Sequence, residues 1–305
     1  MTPADASDAP SDAPPWLGPF SARLGALAVL APAERLARLD LWARAARIAT
    51  ESGRPLRFVP ADGPTPRPGA APPAYELRIF EAGEVATRTD GPGARHDLYN
   101  ALAWLAYPRA KARLNALHAH AIALADGGAC RPGDASRPDA PAPAVRGSLR
   151  DAATLFDENG ALWIGVDVAL EDALRAFDWR RLFVLERERL VRSVRVEVFG
   201  HALLEKLDAP YKAVTAHAWP LRLPRGAGPA EVDDALTRAL EPGRLSSAAL
   251  CPLPVMGLPG WCGANRDPAF YNDAAVFRAG RRRAPRPARA GDTAGDTASD
   301  RPPRD

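Results

Sequence analysis

Long apolar runs and a secretory leader are both missing from this sequence of 305 residues. No stretch reaches the length of about 20 apolar residues that a membrane-spanning helix needs. The opening residues, 1–15, are acidic and rich in proline, and they lack the basic and apolar regions of a signal peptide. These absences predict a cytoplasmic protein that makes no use of a membrane.

Cysteine is also scarce, with only Cys130, Cys251 and Cys262 in the chain. An odd and sparse set does not indicate a disulfide framework, because each bridge needs two cysteines. Cys251 and Cys262 are too far apart in the sequence for the close pair of a zinc knuckle. We therefore expect small core or loop residues rather than metal ligands or nucleophiles.

A large excess of charge is absent, since 40 basic and 37 acidic side chains leave a formal net charge of +3. Such a balance is not typical of proteins that bind nucleic acid duplexes. The arginine run 281–283 is the one feature that could contact nucleic acid, and a solvated tail is the preferred interpretation. The glycine-rich motifs that cradle nucleotide phosphates are absent too. We expect the partner to be a small-molecule ligand or substrate.

Composition divides the chain into one folded region between two tails. Residues 1–15 and 280–305 are rich in proline, aspartate and alanine and have few large apolar side chains, which is typical of disorder. Clusters of proline and glycine at about 60–73 and 126–143 predict long surface loops. The remaining span, 16–279, predicts a single globular domain.

Periodicity predicts an α+β fold that is dominated by helices and has a small β-sheet or hairpin. Apolar residues recur at helical spacing in six segments, which we predict to be helices: 32–51, 96–106, 109–124, 147–156, 168–177 and 230–240. Alternating apolar residues over 75–85 predict a hairpin. Asn159-Gly160 predicts a turn, with a strand after it. Residues 191–208 fit either a strand or a helix, and a helix is preferred.

Lysine, histidine and asparagine are unusually rare in a chain that otherwise relies on arginine for positive charge. They fall almost wholly within 95–120, 149–160, 199–217 and 252–273. Within these segments, polar residues recur at helical spacing and form four stripes. The stripes are Asp97 with Asn100 and Trp104, Lys111 with Asn115 and His118, Arg150 with Thr154 and Asp157, and His201 with Glu205. This concentration indicates facing polar surfaces inside the fold and favours a functional site.

These four segments resemble a bacterial family that is catalogued as domain of unknown function 3025. The resemblance covers about residues 75–278 and rests on the strings HDLYNALAWLAYPRAKARLN, RDAATLFDENG, FGHALLEKLDAPYKAVTAH and PLPVMGLPGW with FYND. Together these strings are specific, whereas each alone is weak. The resemblance implies the extent of the domain, and it carries no activity, cofactor or catalytic residue that transfers to this chain.

The residues themselves suggest a metal-assisted hydrolase as the first hypothesis. His201 and Glu205 lie one helical turn apart, where an imidazole and a carboxylate can bind one divalent metal ion. His96 or Asp97, and Asp157 or Glu158, could complete the three or four ligands. The metal would activate water, and a cationic side chain would hold an anionic group of the substrate. The candidate catalytic residues are His96, Asp97, Arg150, Asp151, Asp157, Lys206 and Lys212. The candidate binding residues are Asn100, Lys111, Asn115, His217, Trp261, Asn272 and Asp273.

Two alternatives stay open at this point. In a metal-free mechanism, His96 or His201 acts as the general base, and Asp97 or Glu205 orients it. In a non-catalytic protein, the stripes form buried networks that fix helix packing, or residues 252–277 form one wall of a ligand- or protein-binding module. An enzyme requires the candidate catalytic side chains to converge on one cleft, whereas a structural network would bury them in separate clusters.

Overall fold

The computed structural model describes residues 13–61, 74–127 and 143–280. The α-helices in these ranges are α1 (Ser21–Ala28), α2 (Pro32–Ala45), α3 (Tyr75–Ala82), α4 (Ala94–Ala106), α5 (Pro108–Gly127), α6 (Pro143–Asn159), α7 (Val168–Arg175), α8 (Arg187–Ser193), α9 (His201–Lys206) and α10 (Pro229–Ala239). The strands are β1 (Arg57–Pro60), β2 (Glu84–Thr87), β3 (Gly160–Ile164), β4 (Arg195–Val198), β5 (Thr215–Leu221) and β6 (Cys251–Pro254). Short 3-10 or π-helical turns lie at Pro15–Leu17, Arg181–Leu185, Val255–Gly257, Gly263–Arg266 and Pro268–Asn272.

The larger of two sheets has four strands in the order β4-β3-β5-β6. Strand β3 is antiparallel to β4 and parallel to β5, and β6 runs antiparallel to β5. The smaller sheet pairs β1 with β2 in parallel. Helices form most of the remaining structure, so the predicted α+β class is confirmed. Among the described helices, none combines the length and apolar character needed to cross a membrane.

Several predicted helices are confirmed with small shifts at their ends, because α4, α5, α6, α7 and α10 occupy the predicted segments. The strand expected after Asn159-Gly160 is β3, which follows α6 without an intervening loop. Most of the predicted tails and long loops lie outside the described residues, at 1–12, 62–73, 128–142 and 281–305. The single domain over 16–279 stays a prediction.

The predicted hairpin over 75–85 is wrong. The segment Tyr75–Ala82 forms α3, which ends where Gly83 adopts a left-handed φ of 73° and donates its N–H to the Ile79 carbonyl. Ile79 is the buried residue of α3, and this helix packs against α5. Strand β2 then pairs with the earlier strand β1 rather than folding back on α3. Tertiary packing has therefore overridden a local alternation of apolar residues.

Two predicted helices are also too long. Residues 191–208 contain a strand, β4, between α8 and α9, because β4 pairs along its length with β3. The helix predicted over 32–51 ends at Ala45, shortly before Arg47 takes a positive φ of 52°. Pairing with a distant strand and a single left-handed residue are both invisible to helical periodicity.

The corner between α6 and β3 lies against the corner between β4 and α9. The carbonyl of Gly160 accepts hydrogen bonds from the backbone N–H groups of Phe199 and Gly200, at 3.0 and 2.9 Å. A Cβ atom on Gly200 would lie 2.5 Å from the Glu158 carbonyl oxygen and 2.5 Å from the Gly160 nitrogen. This close backbone contact holds the start of α9 beside the last turn of α6, where the polar residues of both helices meet.

Aromatic packing supports this corner from the sheet side. Every residue of β3 is buried. The Phe156 ring stacks on Phe199 with centroids 4.7 Å apart, and it meets Trp219 edge to face at 5.6 Å. These rings pack α6, the end of β4 and β5 into one core. This packing holds the last turn of α6 and the start of α9 in fixed positions.

The backbone contact at Gly200 generates a stability prediction. We expect Gly200→Ala to lower the free energy of unfolding by about 2 kcal/mol or more, because the clashing atoms belong to the backbone and cannot easily move aside. Gly228→Ala is a matched control, since Gly228 also precedes a helix with φ near −71° and its Cβ would meet nothing within 4 Å. Urea unfolding of both variants measures the difference. Equal losses in the two variants would contradict the close contact.

Candidate functional site

Five helices, α3, α4, α5, α6 and α9, surround a pocket of about 240 Å³. Its polar lining consists largely of the scarce residue types and carboxylates that the sequence indicated. Eight candidate residues meet there: His96, Asp97, Asn100, Lys111, Asn115, Asp157, Glu158 and His201. They come from four separate parts of the chain, so the convergence is produced by the packing of the helices.

Lys111 carries a buried charge in this pocket, with only 4% of its side chain exposed. Its Nζ lies 2.5 Å from Oδ1 of Asp157 and donates to Oδ1 of Asn100 at 2.9 Å. Asn100 in turn donates from Nδ2 to the Tyr75 hydroxyl at 2.9 Å. Burial opposes ionisation of Asp157, but the Lys111 ammonium outweighs it and lowers the pKa of Asp157 to about 2. The network ties α3, α4, α5 and α6 together.

A cluster of potential metal ligands lies next to this network. One nitrogen each from His96 and His201 and one oxygen from Glu158 lie within 4.8 Å of one another. The Nε2 atoms of the two histidines are 3.0 Å apart, and Oε1 of Glu158 is 3.7 Å from Nε2 of His201. His201 is buried, whereas the side chains of His96 and Glu158 are about one third exposed. The cluster is therefore anchored in the fold and open to solvent on one side.

The opposite edge of each imidazole faces a carboxylate. Oε2 of Glu205 lies 3.1 Å from Nδ1 of His96, and Oδ2 of Asp157 lies 3.8 Å from Nδ1 of His201. Glu205, which the sequence suggested as a metal ligand, therefore contacts Nδ1 of His96 and is not among the three clustered residues. His96 joins Glu158 and His201 in this cluster, because α4 packs against α9.

Burial sets the protonation states of the cluster. Burial lowers the pKa of His201 to about 4, although the neighbouring Asp157 carboxylate acts in the opposite direction. Burial also raises the pKa of Glu158, and the negative charge of Asp157 adds to this increase. At neutral pH, His201 is thus neutral, and Glu158 lies in surroundings that a cation would stabilise.

Asp97 lines the same pocket but is held by Arg88. The Arg88 guanidinium makes two hydrogen bonds to the Asp97 carboxylate, at 2.7 and 2.9 Å, and the Arg88 backbone N–H adds a third at 2.8 Å. Burial opposes ionisation of Asp97, but these bonds lower its pKa. Asp97 is therefore a fixed counterion, and Lys111 pairs with Asp157 rather than with Asp97.

Two of the three lysines lie outside this pocket. Lys206 donates to Oδ1 of Asn159 at 2.6 Å and is exposed. Lys212 pairs with the Asp273 carboxylate at 3.0 Å, and its Nζ lies 4.5 Å from the centre of the Phe270 ring. The scarcity of lysine thus identified one pocket residue and two residues with partners elsewhere.

The remaining candidates are also placed away from the pocket. Arg150 and Asp151 are exposed on α6. His217 lies in β5, where burial lowers its pKa, and Trp261 packs against another tryptophan with ring centroids 5.7 Å apart. Asn272 is exposed at the end of a short 3-10 turn. These side chains do not converge with the cluster around His201.

Three polar residues of the pocket were not among the candidates from the sequence, namely Tyr75, Glu76 and Arg88. Tyr75 and Glu76 lie in the segment that was predicted as a hairpin, so their helical proximity to α5 could not be anticipated. Arg88 carried no signal in an arginine-rich chain. The pairing of Glu76 with Asn115 is a contact between helices that lie far apart in the sequence.

Comparison with known sequences places the chain in a family. Residues 56–281 match the family described as "Protein of unknown function (DUF3025)". The chain belongs to this family. No match was found among curated proteins, and none was found among solved structures. The match covers all eight pocket candidates of this DUF3025 protein and also both strands of its smaller sheet.

The buried ion pair of the DUF3025 protein generates a second stability prediction. We expect Lys111→Met to lower the free energy of unfolding by about 3 kcal/mol or more, because Asp157 stays buried without its cation. Adding Asp157→Asn should recover part of this loss, since it removes the uncompensated charge.

The control for this experiment is an exposed pair. Arg192 lies 3.4 Å from Glu188 with both side chains exposed, so Arg192→Met should cost less than about 1 kcal/mol. Urea unfolding of the three variants gives the comparison. If the Lys111 variant were no less stable than the Arg192 variant, the buried pair would not have the structural role assigned to it.

The low pKa of His201 predicts how stability depends on pH in chelator-treated protein. Its pKa falls from the ordinary 6.5 to about 4 on folding, so the unfolded chain takes up a proton first as the pH decreases. Stability should be unaffected by this group above pH 6.5 and should decline between pH 6.5 and 4, by about 3 kcal/mol in total.

Variants assign this decline to one side chain. His201→Gln should make the unfolding free energy less dependent on pH between 6.5 and 4. His120→Gln, at an exposed histidine of α5, should show the same pH dependence as the wild type. A His201→Gln profile that is as steep as the wild-type profile would show that another group is responsible.

Proposed function

We propose that His96, Glu158 and His201 bind a divalent transition-metal ion that activates water for hydrolysis. The observation that carries this proposal is the grouping of three ligand atoms. One nitrogen from each of His96 and His201 and one oxygen from Glu158 lie within 4.8 Å of one another, in a pocket open to solvent on one side. Two histidines and one carboxylate are a frequent ligand set of catalytic zinc and non-haem iron sites.

The carboxylate behind the His96 ring supports a metal role. In metal sites, a histidine ligand usually directs its second nitrogen to a carboxylate or carbonyl, which fixes the tautomer and the orientation of the ring. Glu205 is at hydrogen-bond distance from His96 and fills this role there. Oδ2 of Asp157 lies 3.8 Å from Nδ1 of His201, which has no hydrogen-bond partner among the described residues, so the outer support is established for His96 alone.

The charge states of the cluster also suit a metal. A histidine must be neutral and a carboxyl must be ionised to act as ligands. His201 meets this condition at neutral pH because burial lowers its pKa to about 4. Burial raises the pKa of Glu158, the charge of Asp157 adds to the increase, and a divalent cation at the carboxylate would favour its ionised form.

Three protein ligands leave coordination positions for water and substrate. A divalent metal held by His96, Glu158 and His201 would polarise bound water and so supply a nucleophile for hydrolysis at neutral pH. Among the described residues, Lys111 donates two hydrogen bonds, so its third N–H is suited to a developing negative oxygen.

A non-catalytic ligand-binding protein is the second candidate. It is favoured by three buried polar atoms of residues that line the pocket, Oδ1 of Asn115, Nε2 of His118 and Nδ1 of His201, that have no hydrogen-bond partner among the described residues. Such atoms indicate a bound ligand but do not require that it react. The metal site therefore decides between the two candidates.

The test is the metal content of purified, untagged protein after dialysis without chelator and after reconstitution with zinc, manganese, iron or cobalt. We expect near-equimolar metal by mass spectrometry in the wild type and in the exposed control His120→Gln. His96→Ala, His201→Ala and Glu158→Gln should lose it. Glu205→Gln should keep the site but weaken metal affinity by about tenfold or more, since it removes outer support only.

Two results would overturn the proposal. One is a wild-type protein that binds none of the four metals after reconstitution. The other is binding that survives His201→Ala and Glu158→Gln, because the metal would then sit elsewhere. In either case, the contact between His96 and Glu205 at 3.1 Å would direct attention to metal-free acid–base chemistry.

A further inference from the structure

A second cleft lies between α7 and α10 at one end of the larger sheet. Strand β6 pairs with β5 only over Thr215–Ala218, whereas β3 pairs with β5 as far as Leu221. Within the described ranges, the last three residues of β5 therefore have no partner on the β6 side, and they line a cleft of about 640 Å³. Residues of α7, of α10 and of the segments that follow β5 and α10 complete the lining of this α7–α10 cleft.

The lining of the α7–α10 cleft is strongly basic. Its charged residues are one glutamate, Glu171, and four arginines, Arg175, Arg222, Arg238 and Arg244. They leave a net charge of +3 on the lining, which is as large as the formal net charge of the whole chain. Positive charge is thus concentrated in this cleft, and a concave surface of one sign attracts small ions of the opposite sign.

Glu171 holds two of the four arginines side by side. This glutamate is buried, and its Oε1 accepts a hydrogen bond from Nε of Arg175 at 3.0 Å while its Oε2 accepts one from Nε of Arg222 at 3.1 Å. Burial opposes ionisation of Glu171, but the two guanidinium groups outweigh it and lower the pKa of the carboxyl. One carboxylate therefore orients two guanidinium groups and compensates only one of their charges.

The arginines of the cleft keep N–H donors that no described protein group uses. Arg222 bonds to Glu171 through Nε, so its two terminal NH2 groups stay accessible, and 65% of its side chain is exposed. Arg238 and Arg244 are exposed, and their side chains form no hydrogen bond or ion pair with another described residue. The planar fork of a guanidinium matches two oxygens of a phosphate in both geometry and charge.

We infer that the α7–α10 cleft binds the phosphate group of a small organic molecule, with Arg222, Arg238 and Arg244 as its donors. A phosphate monoester carries close to two negative charges at neutral pH, so the surplus positive charge of the cleft matches it in sign and is sufficient in amount. The cleft shares no lining residue with the pocket around His201. The inference is therefore independent of the proposed metal centre and stands if that centre fails.

The size of the cleft favours a small organic phosphate over a bare ion. Its volume corresponds to about 20 water molecules, and a bare phosphate ion would fill only part of it. The volume also falls within the range that is typical of small-molecule sites. Apolar residues of the lining, such as Leu223 and Ala239, are available to contact the organic part of the ligand.

The test titrates three probes into the full chain at constant ionic strength and follows NMR chemical shifts. Phenylphosphonate carries the anionic group on a carbon–phosphorus bond that resists hydrolysis, benzyl alcohol has a similar size without charge, and inorganic phosphate lacks the organic part. We expect saturable binding of phenylphosphonate, about threefold or more weaker binding of inorganic phosphate, and about tenfold or more weaker binding of benzyl alcohol. No saturable binding of phenylphosphonate, or equal affinity for either of the other probes, would overturn the inference.

Two double variants of equal net charge assign the site. Arg238→Gln combined with Arg244→Gln removes two donors of the cleft and should weaken phenylphosphonate binding about tenfold or more. Arg180→Gln combined with Arg266→Gln changes two exposed arginines that do not line the cleft, and this control should bind phenylphosphonate as the wild type does. If both double variants lose the same affinity, overall charge explains the binding and the inference falls.

The location of the shifts and a vesicle assay distinguish other sites and other sources of phosphate. Shifts concentrated around His96, Glu158 and His201 would put phenylphosphonate at the proposed metal centre instead. Co-flotation of the protein with vesicles of phosphatidic acid and phosphatidylcholine, lost when Arg238 and Arg244 are both changed to glutamine, would assign the phosphate to a lipid surface. Either result overturns the inference, whereas shifts around α7 and α10 without co-flotation support it.

Discussion

The buried ion pair between Lys111 and Asp157 is the constraint on which the arrangement of this site depends. An ammonium that is almost fully removed from water is tolerated only when a carboxylate and hydrogen-bond acceptors surround it. Lys111 therefore fixes α5 against α6 through Asp157 and against α4 through Asn100. The second oxygen of the same carboxylate lies 3.8 Å from Nδ1 of His201, so this pair also borders a residue of the candidate site.

The backbone adds a second restraint that is independent of charge. Gly160 and Gly200 let the end of α6 and the start of α9 approach to contact, which places Glu158 and His201 side by side. The aromatic core beneath holds that corner rigidly. Once Lys111 and Arg88 have been neutralised by their partners, the charges left over are those of two carboxylates. One, Glu158, lies beside His201, and the other, Glu76, accepts a hydrogen bond from Asn115.

Composition predicted much of this site, but it could not predict the contacts. Lys111, Asn115 and His201 belong to scarce residue types, and helical spacing placed them correctly on inward-facing stripes. The same argument also selected Lys212, whose partner lies elsewhere, because scarcity carries no information on direction. Helical spacing placed His201 and Glu205 on one face of α9. Which of the two lies beside His96 and Glu158 depends on how α4 packs against α9, and spacing does not predict that packing. Glu76 was missed because an alternating pattern concealed a helix that packs against α5 and β2.

The protonation states of the site show why burial and pairing occur together. Asp157 stays ionised because Lys111 lowers its pKa to about 2, and His201 stays neutral because burial lowers its pKa to about 4. Neither group changes charge near neutral pH, so His201 need not lose a proton before it accepts a cation. Burial that served only to pack the helices would be satisfied by apolar side chains at lower cost. The charged residues are retained in one solvent-open pocket, and this placement favours a functional site over a structural network.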